Sequence, residues 1–251
     1  MSGSRTRPPD PTELLKSIAG KKPLAIVLAG HNGSGKSTLW YDKLADLLRI
    51  PLINADRLTL SILPAPAGDP PVLRPWAAEF RDSDERWQRL SQEGVQLFMG
   101  LIMEQRIPFA FETVFSYLQK REDGTYSSKE EIIRTLQKAG YAVALIFIGL
   151  ANAQLSVLRV ATRKQQGGHD VPEPKLLQRF PRTQEAIRLA APVADMTLMF
   201  DNSRRIEDAF TLVRVQAKSK VLYDCRQHMF RESDGLIQVA STWLSQVAPL
   251  S

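Results

Sequence analysis

The sequence has few of the residues that build disulfide scaffolds and metal centres. Its 251 residues include one cysteine and three histidines. The lone thiol, Cys225, excludes a disulfide framework and a four-cysteine zinc site. The histidines do not cluster along the chain, so neither a metal centre nor a catalytic triad built on histidine is predicted. Low cysteine content fits a reducing compartment, and we expect a cytoplasmic protein.

Long apolar runs are also lacking. The longest, Tyr141–Leu150, is far shorter than the ~20 residues that a membrane-spanning helix needs, so no membrane partner is expected. The first segment, Met1–Pro11, is polar, carries three prolines and lacks the apolar stretch of a secretory signal. We expect residues 1–20 to be a partly disordered lead-in. Residues 21–251 should form one domain, because no later linker divides the chain.

The overall composition is that of a folded protein with a basic surface. Apolar residues make up 43% and charged residues 24%, which excludes a disordered or low-complexity chain. The net charge is +6, from 33 Lys and Arg against 27 Asp and Glu. This excess favours anionic partners such as nucleotides, phosphates or nucleic acid, although ordinary surface scatter would produce it as well.

Short apolar runs alternate with helical patterns along most of the chain. The predicted strands are Leu24–Ala29, Pro51–Asn54, Pro108–Phe111, Tyr141–Ile148 and Met196–Phe200. The predicted helices are Lys36–Leu48, Ser83–Gln105, Lys129–Lys138, Ala153–Gln165, Pro174–Leu189 and Leu236–Val247. A proline-rich loop occupies Leu63–Pro75, and Phe210–Val215 is a mixed run. This alternation predicts an α/β fold with a central parallel sheet and helices on both faces.

A complete phosphate-loop motif, G-x-x-x-x-G-K-[ST], follows the first predicted strand. Its positions are Gly30, His31, Asn32, Gly33, Ser34, Gly35, Lys36 and Ser37, with Thr38 next on the predicted helix. The glycines allow backbone N–H groups to turn toward phosphate oxygens, and Lys36 would reach the β- and γ-phosphates. Ser37 offers a hydroxyl to Mg²⁺. The motif therefore predicts binding of ATP or GTP with Mg²⁺.

Elimination narrows the class of phosphate-loop protein. Motor and transporter ATPases need an acid at the end of an apolar strand, and the strongest strand ends in Ile148-Gly149-Leu150 without one. The Asn-Lys-x-Asp motif by which GTPases read their base is absent. A small kinase remains, in which a basic lid closes over the transferred phosphoryl group.

Two carboxylates follow predicted strands, where a parallel sheet binds its ligands. Asp56 comes after the second strand and is a candidate base for an acceptor hydroxyl, although a helix N-cap is an equal alternative. Glu112 follows the third strand, with Thr113 and Ser116 as nearby hydrogen-bonding groups. A surface glutamate is the alternative there.

Basic residues concentrate on two predicted helices that flank Gly167-Gly168. Arg159 and Arg163 share one face of the first helix, and Arg179 and Arg182 share one face of the second. We predict an arginine-rich helical lid over about residues 152–190 that clamps a transferring phosphate. Two solvated helix faces would give the same pattern.

Together these motifs resemble the zeta-toxin family of P-loop kinases. The resemblance rests on AGHNGSGKS, INADRL, FETVFS, the GGHDVPEP core of the lid and FDNS, in that order along residues 29–203. It implies a P-loop kinase fold and transfer of phosphate from ATP or GTP, with Mg²⁺. The acceptor would be a hydroxyl of a UDP-activated amino sugar such as UDP-N-acetylglucosamine. It also implies an antitoxin protein as a partner.

The resemblance assigns roles to individual residues. Lys36 and Ser37 match the nucleotide-phosphate and metal positions, and Asp56 matches the catalytic base. Glu112 and Thr113 fall in the substrate-side motif, and Asp201–Ser203 would lie near the nucleotide base. The lid arginines that match best are Arg163 and Arg179, with Arg159 and Arg182 as neighbouring alternatives.

Two departures leave the acceptor open, namely the GGHD insertion and the proline-rich loop, which are closer to the chromosomal, toxin-like branch of the family. One alternative is a nucleotide-binding module that acts through protein contacts. Another is a polynucleotide 5′-hydroxyl kinase, favoured only by the basic charge. No aromatic stacking platform is visible in the sequence, so nucleic acid is not the expected substrate.

Overall fold

The structure, a computed structural model, describes residues 8–68, 71–166, 168, 171–228 and 234–250. The strands are β1 Leu24–Gly30, β2 Leu52–Ile53, β3 Phe109–Thr113, β4 Leu118–Lys120, β5 Tyr126–Ser128, β6 Ala142–Gly149, β7 Met196–Asp201, β8 Thr211–Ala217 and β9 Lys220–Asp224. The helices are α1 Pro11–Ala19, α2 Lys36–Leu39, α3 Ala45–Leu48, α4 Ala55–Ser61, α5 Pro75–Asp82, α6 Glu85–Glu104, α7 Glu130–Lys138, α8 Ala153–Gln165, α9 Glu173–Ala190, α10 Cys225–His228 and α11 Asp234–Val247. A π-helical turn, Trp40–Leu44, joins α2 to α3.

The strands form a seven-stranded sheet in the order β2-β3-β1-β6-β7-β8-β9. The first five strands of this order are parallel, and β8 and β9 extend the sheet in antiparallel fashion. Strands β4 and β5 form a separate antiparallel hairpin. The predicted α/β fold is confirmed; the mixed run Phe210–Val215 lies largely in β8, and β9 was not predicted.

The central strands of the sheet are buried because helices cover them. Every residue of β1 and β6 is buried, which explains their near-continuous apolar sequences. Trp243 of α11 packs edge-on against Phe147 of β6, with ring centroids 5.5 Å apart. A side chain at Gly149 would clash with that indole, since its Cβ would lie 2.3 Å from a ring atom. This core fixes the carboxyl ends of the parallel strands, where the candidate site is built.

Part of the predicted N-terminal lead-in is helical. Pro11–Ala19 forms a helix whose Leu15 is fully buried. The Asp10 side chain caps this helix by accepting hydrogen bonds from the backbone N–H groups of Thr12 and Glu13. Pro11 occupies the first turn, where proline favours helix initiation. Residues 1–7 lie outside the described part of the chain.

The segment between β2 and α6 is also more ordered than the sequence suggests. The proline-rich stretch contains the bridge between Ala67 and Val72, and its last proline opens α5. The sequence did not predict α4 or α5, which have only seven and eight residues. No helix of the described ranges is long and apolar enough to cross a membrane.

Candidate active site

The phosphate loop connects β1 to α2 at the carboxyl edge of the sheet. Gly33 and Gly35 have φ angles of 70° and 88°, which favour glycine. Gly35 has a second constraint, because a Cβ there would lie 2.7 Å from Asn202 Nδ2 and 3.0 Å from Phe210. The loop is thus shaped by tight backbone turns and by close packing against the segment after β7.

The lysine of the motif is held inside the loop. Lys36 Nζ donates to the carbonyl oxygens of Gly30 and His31, at 3.3 and 3.0 Å. Burial lowers the pKa of Lys36, and the nearby Glu112 carboxylate, 3.8 Å from Nζ, opposes that effect. The ammonium is therefore desolvated and positioned before any phosphate arrives.

The Glu112 carboxylate contacts both the hydroxyl and the ammonium group of the phosphate-loop motif. Its Oε2 accepts hydrogen bonds from Ser37 Oγ and Asn54 Nδ2, both at 2.7 Å, while its Oε1 faces Lys36. This contact exists because β3 pairs with β1, with Glu112 opposite Leu28 in the register. Hydroxyl and carboxylate oxygens are ligands that Mg²⁺ prefers, so Ser37 and Glu112 fit a magnesium site.

This position of Glu112 adds contacts that the sequence did not predict. Glu112 was predicted to serve the acceptor side, and its carboxylate contacts Ser37 and Lys36 of the phosphate loop. The elimination of ATPases looked for an acid after β6, whereas the strand that carries it, β3, borders β1 on the other side. Strand order is a tertiary property, which the spacing of residues along the chain does not reveal.

Asp56 lies on the first turn of α4, beside the loop. The N-cap of this helix is Asn54, whose Oδ1 accepts from the backbone N–H of Arg57, so Asp56 is not the cap. Its carboxylate is exposed, and its charge partly offsets the lowering of the Lys36 pKa by burial. Asn54, which caps the helix and also holds Glu112, was missed, although Asn before a helical pattern is a recognisable cap signal.

The four lid arginines have different surroundings. The charge of Arg163 lowers the pKa of Lys36, which places this guanidinium near the loop. Arg159 packs against the loop at Gly33, and burial lowers its pKa. Arg179 is half-buried, and burial lowers its pKa too. Arg182 donates from Nη2 to the carbonyl of Leu118 at 3.0 Å, so its guanidinium anchors the β4–β5 hairpin.

Helices α8 and α9, which carry the predicted lid, contact the phosphate loop directly. Ser156 of α8 donates from Oγ to the carbonyl of Asn32 at 2.7 Å. His31 stacks on Phe180 of α9, with ring centroids 3.8 Å apart, and burial lowers its pKa to about 3. A neutral His31 therefore couples the loop to the lid by packing. Of the predicted lid tip, Gly168 folds back on Arg163, and Gly167 lies outside the described residues.

Ser34 of the loop and the end of β7 with the residues after it complete this face. Ser34 Oγ is buried and has no hydrogen-bond partner within the described ranges, so it suits a polar ligand. Asn202 Nδ2 donates to the Ser34 carbonyl at 2.9 Å, and Asp201 is buried against Trp243 Nε1 and Ser203 Oγ. This segment thus supports the loop. Thr38 is exposed on α2.

One cation near the site was not predicted. Lys129 Nζ donates a hydrogen bond to Thr113 Oγ1, directly beside Glu112 in the sequence. Burial, together with the charges of Arg179 and Lys36, lowers the pKa of Lys129 to about 8. Nothing in the sequence around Lys129 distinguishes it from an ordinary helix-start lysine. Ser116, predicted with Thr113, is partly exposed after the left-handed Phe115.

Solved structures share this fold. The PezAT chromosomal toxin–antitoxin system of Streptococcus pneumoniae matches with a TM-score of 0.53 and 14% identity, covering 94% of this chain and 93% of that one. AvrRxo1-ORF1:-ORF2 with ATP matches at 0.57 and 16%, and its form with sulphate ions at 0.58 and 15%; each covers 96% of this chain and 69% of that one. By sequence, no family model and no curated protein matches. The likeness confirms the fold implied by the zeta-toxin resemblance.

Proposed function

We propose that this protein is a kinase that transfers the γ-phosphoryl group of ATP or GTP to a hydroxyl of a small molecule. The observation that carries the proposal is the contact of Glu112 with both Ser37 and Lys36 of the phosphate loop. A nucleotide-binding loop alone is generic. Here the loop hydroxyl donates a hydrogen bond to a carboxylate at a strand end, and arginine-bearing helices pack against the loop. This arrangement is suited to phosphoryl transfer.

Each group of the site has a role in this reaction. Ser37 and Glu112 would hold Mg²⁺, which when bound neutralises phosphate charge. Lys36 binds the β- and γ-phosphates, and Arg163 and Arg179 stabilise the charge that spreads over the transferring phosphoryl group. Asp56 orients the acceptor hydroxyl and takes its proton. The bond from the γ-phosphorus to the bridging oxygen breaks as the bond to the acceptor oxygen forms.

The proposed acceptor is a hydroxyl of a UDP-activated amino sugar such as UDP-N-acetylglucosamine, with an antitoxin as a protein partner and the cytoplasm as the compartment. The motifs shared with zeta toxins support this choice, as does the shared fold with the PezAT toxin–antitoxin system.

A direct test measures turnover of ATP and GTP with Mg²⁺, with and without UDP-N-acetylglucosamine. A parallel screen of a metabolite pool by mass spectrometry identifies any other acceptor. Nucleotide binding without transfer to any acceptor would instead favour a nucleotide-binding module. Transfer of phosphate to the 5′-hydroxyl ends of oligonucleotides would favour a polynucleotide kinase.

The Glu112→Gln variant separates the metal role from the acceptor role. We expect the Mg²⁺ concentration for half-maximal activity to rise about 10- to 100-fold, because an uncharged amide is a weaker ligand and a weaker partner for Ser37. Glu93→Gln, on the exposed face of α6, is the matched control and should leave it unchanged. An unchanged Mg²⁺ requirement with a raised KM for the acceptor would show that Glu112 binds the acceptor and not the metal.

The Arg163→Ala and Arg179→Ala variants test the lid. Each should lower kcat by about 10²-fold, with a smaller change in ATP affinity, because the lost charge acts on the transition state. Arg89→Ala, on an exposed and paired arginine of α6, should behave as wild type. If both lid variants lose ATP affinity and keep kcat, these arginines bind ground-state nucleotide.

A further inference from the structure

We propose that a cavity at the amino edge of the central sheet binds a small phosphate ester that also carries hydroxyl groups, such as a sugar phosphate. The cavity lies at the starts of β1, β6 and β7, whereas the phosphate loop lies where β1 ends. Because β1 has seven residues, the two places are about 20 Å apart. The inference is independent of the proposed function, since the described residues that line this cavity are all different from those of the candidate active site.

The cavity has a volume of about 450 Å³, within the usual range for small-molecule sites. It forms where four segments far apart in the sequence meet, namely the turn before β1, helix α7, the turn before β7 and the turn between β8 and β9. The charged and amide side chains that these segments contribute are Lys22, Arg134, Gln137, Asp195 and Lys218. Only the folded chain brings these groups together.

Hydrogen bonds fix the inner wall of the cavity. Gln137 Nε2 donates to the carbonyl oxygen of Val193 at 2.9 Å. Asp195 Oδ2 accepts from the backbone N–H of Val143 at 2.9 Å, and the Asp195 N–H donates to the Val143 carbonyl at 3.0 Å. These bonds join α7, the turn before β7 and β6. The wall is therefore preorganised, which lowers the cost of ordering the site when a ligand binds.

The outer rim of the cavity is cationic. Lys22, Arg134 and Lys218 are exposed and come from three different segments. Arg134 Nε donates to Glu130 of its own helix at 3.3 Å, and Asp195 is the one carboxylate among the described residues that line the cavity. Positive charge exceeds negative charge here, so the rim attracts an anion.

Lys218 is held at the rim by an unusual backbone conformation. Its φ angle is 51°, in the left-handed region that favours glycine. The buried Gln216 donates from Nε2 to the Lys218 carbonyl at 2.8 Å and so fixes this turn. A lysine at such a position costs stability, and backbone strain of this kind is concentrated at binding sites. We infer that the side chain of Lys218 has a role in binding.

The inner wall selects the kind of anion. Asp195 would repel a free phosphate ion, whereas its carboxylate has lone pairs left to accept hydrogen bonds from hydroxyl groups. The Gln137 side-chain carbonyl is a second acceptor on the same wall. A ligand with a phosphate at one end and hydroxyl groups at the other satisfies both the cationic rim and the acceptor wall.

Binding of glucose 6-phosphate, measured by calorimetry, tests this site. The full chain is first saturated with Mg²⁺ and a non-hydrolysable ATP analogue, so that the phosphate loop is filled and no transfer takes place. We expect one glucose 6-phosphate to bind to the wild type, and the double variant Lys22→Met, Lys218→Met to bind it about tenfold or more weakly, because two charge-assisted contacts are lost. The matched control is Lys21→Met, Lys220→Met, which removes two exposed neighbouring lysines outside the cavity lining and should stay within about twofold of the wild type.

Asp195→Asn gives a second readout with opposite signs for two ligands. Its amide oxygen still accepts from the Val143 N–H, so the wall is kept. Inorganic phosphate should bind more tightly, because the repulsion is removed. Glucose 6-phosphate should bind more weakly, because hydroxyl groups donate more strongly to a carboxylate than to an amide. A cationic surface without an acceptor wall would instead bind both ligands more tightly in this variant.

Three outcomes would overturn the proposal. They are failure of glucose 6-phosphate to bind the wild type, equal affinity in the wild type and Lys22→Met, Lys218→Met, and tighter binding of both ligands by Asp195→Asn. None of these measurements requires catalysis. A protein that transfers phosphate but gives one of these outcomes would keep the proposed function and lose this site, and one that binds here but transfers nothing would do the reverse.

Discussion

Replacing Lys36 by alanine is expected to abolish phosphoryl transfer, with a loss of about 10³-fold or more, while the protein stays folded. The lost ammonium is the charge that the loop holds ready for the β- and γ-phosphates, in a desolvated position where its effect is large. The fold should survive, because Glu112 keeps its hydrogen bonds from Ser37 and Asn54. Steady-state transfer and thermal unfolding by circular dichroism measure the two effects.

The control for this variant is Lys43→Ala, which removes an exposed lysine from the π-helical turn that follows α2. It should retain wild-type transfer, so that a loss in Lys36→Ala reflects position and not net charge. A Lys36→Ala protein that kept most of its turnover would show that this loop is not the catalytic phosphate site.

Asp56→Asn is expected to lower acceptor phosphorylation by 10²- to 10⁴-fold, the usual range for loss of a general base. The amide keeps the shape of the side chain and removes its basicity. Because the transition state of phosphoryl transfer is loose, positioning of the acceptor can dominate and the lower end of the range applies. Nucleotide binding should persist, since Asn54 still caps α4 and Lys36 is unchanged.

ATP binding and acceptor phosphorylation are measured on the same preparation, with Asp42→Asn as the exposed matched control. Wild-type phosphorylation in Asp56→Asn would remove this residue from the mechanism, since the structure has already shown that it is not a helix cap. Glu112, the other carboxylate facing Lys36, would then be the next candidate base.

Local sequence patterns predicted much of this protein. The phosphate loop could be predicted because its glycines are required by local backbone geometry, namely the positive φ angles at Gly33 and Gly35. The buried strands β1 and β6 were visible because a strand covered on both faces must be apolar throughout. Helix α1 was missed, since it is only nine residues long and begins at the end of a polar segment with three prolines.

The sequence by itself determined the phosphate-loop motif, the alternation of strands and helices and the concentration of arginines on two neighbouring helices. These features depend on neighbours along the chain. Only the tertiary structure decided that β3 borders β1 and brings Glu112 to Ser37, that Asn54 holds this carboxylate, and that Lys129 meets Thr113 beside Arg179. Such contacts join residues far apart in sequence, and their energies depend on the order of strands and on burial, which no local pattern encodes.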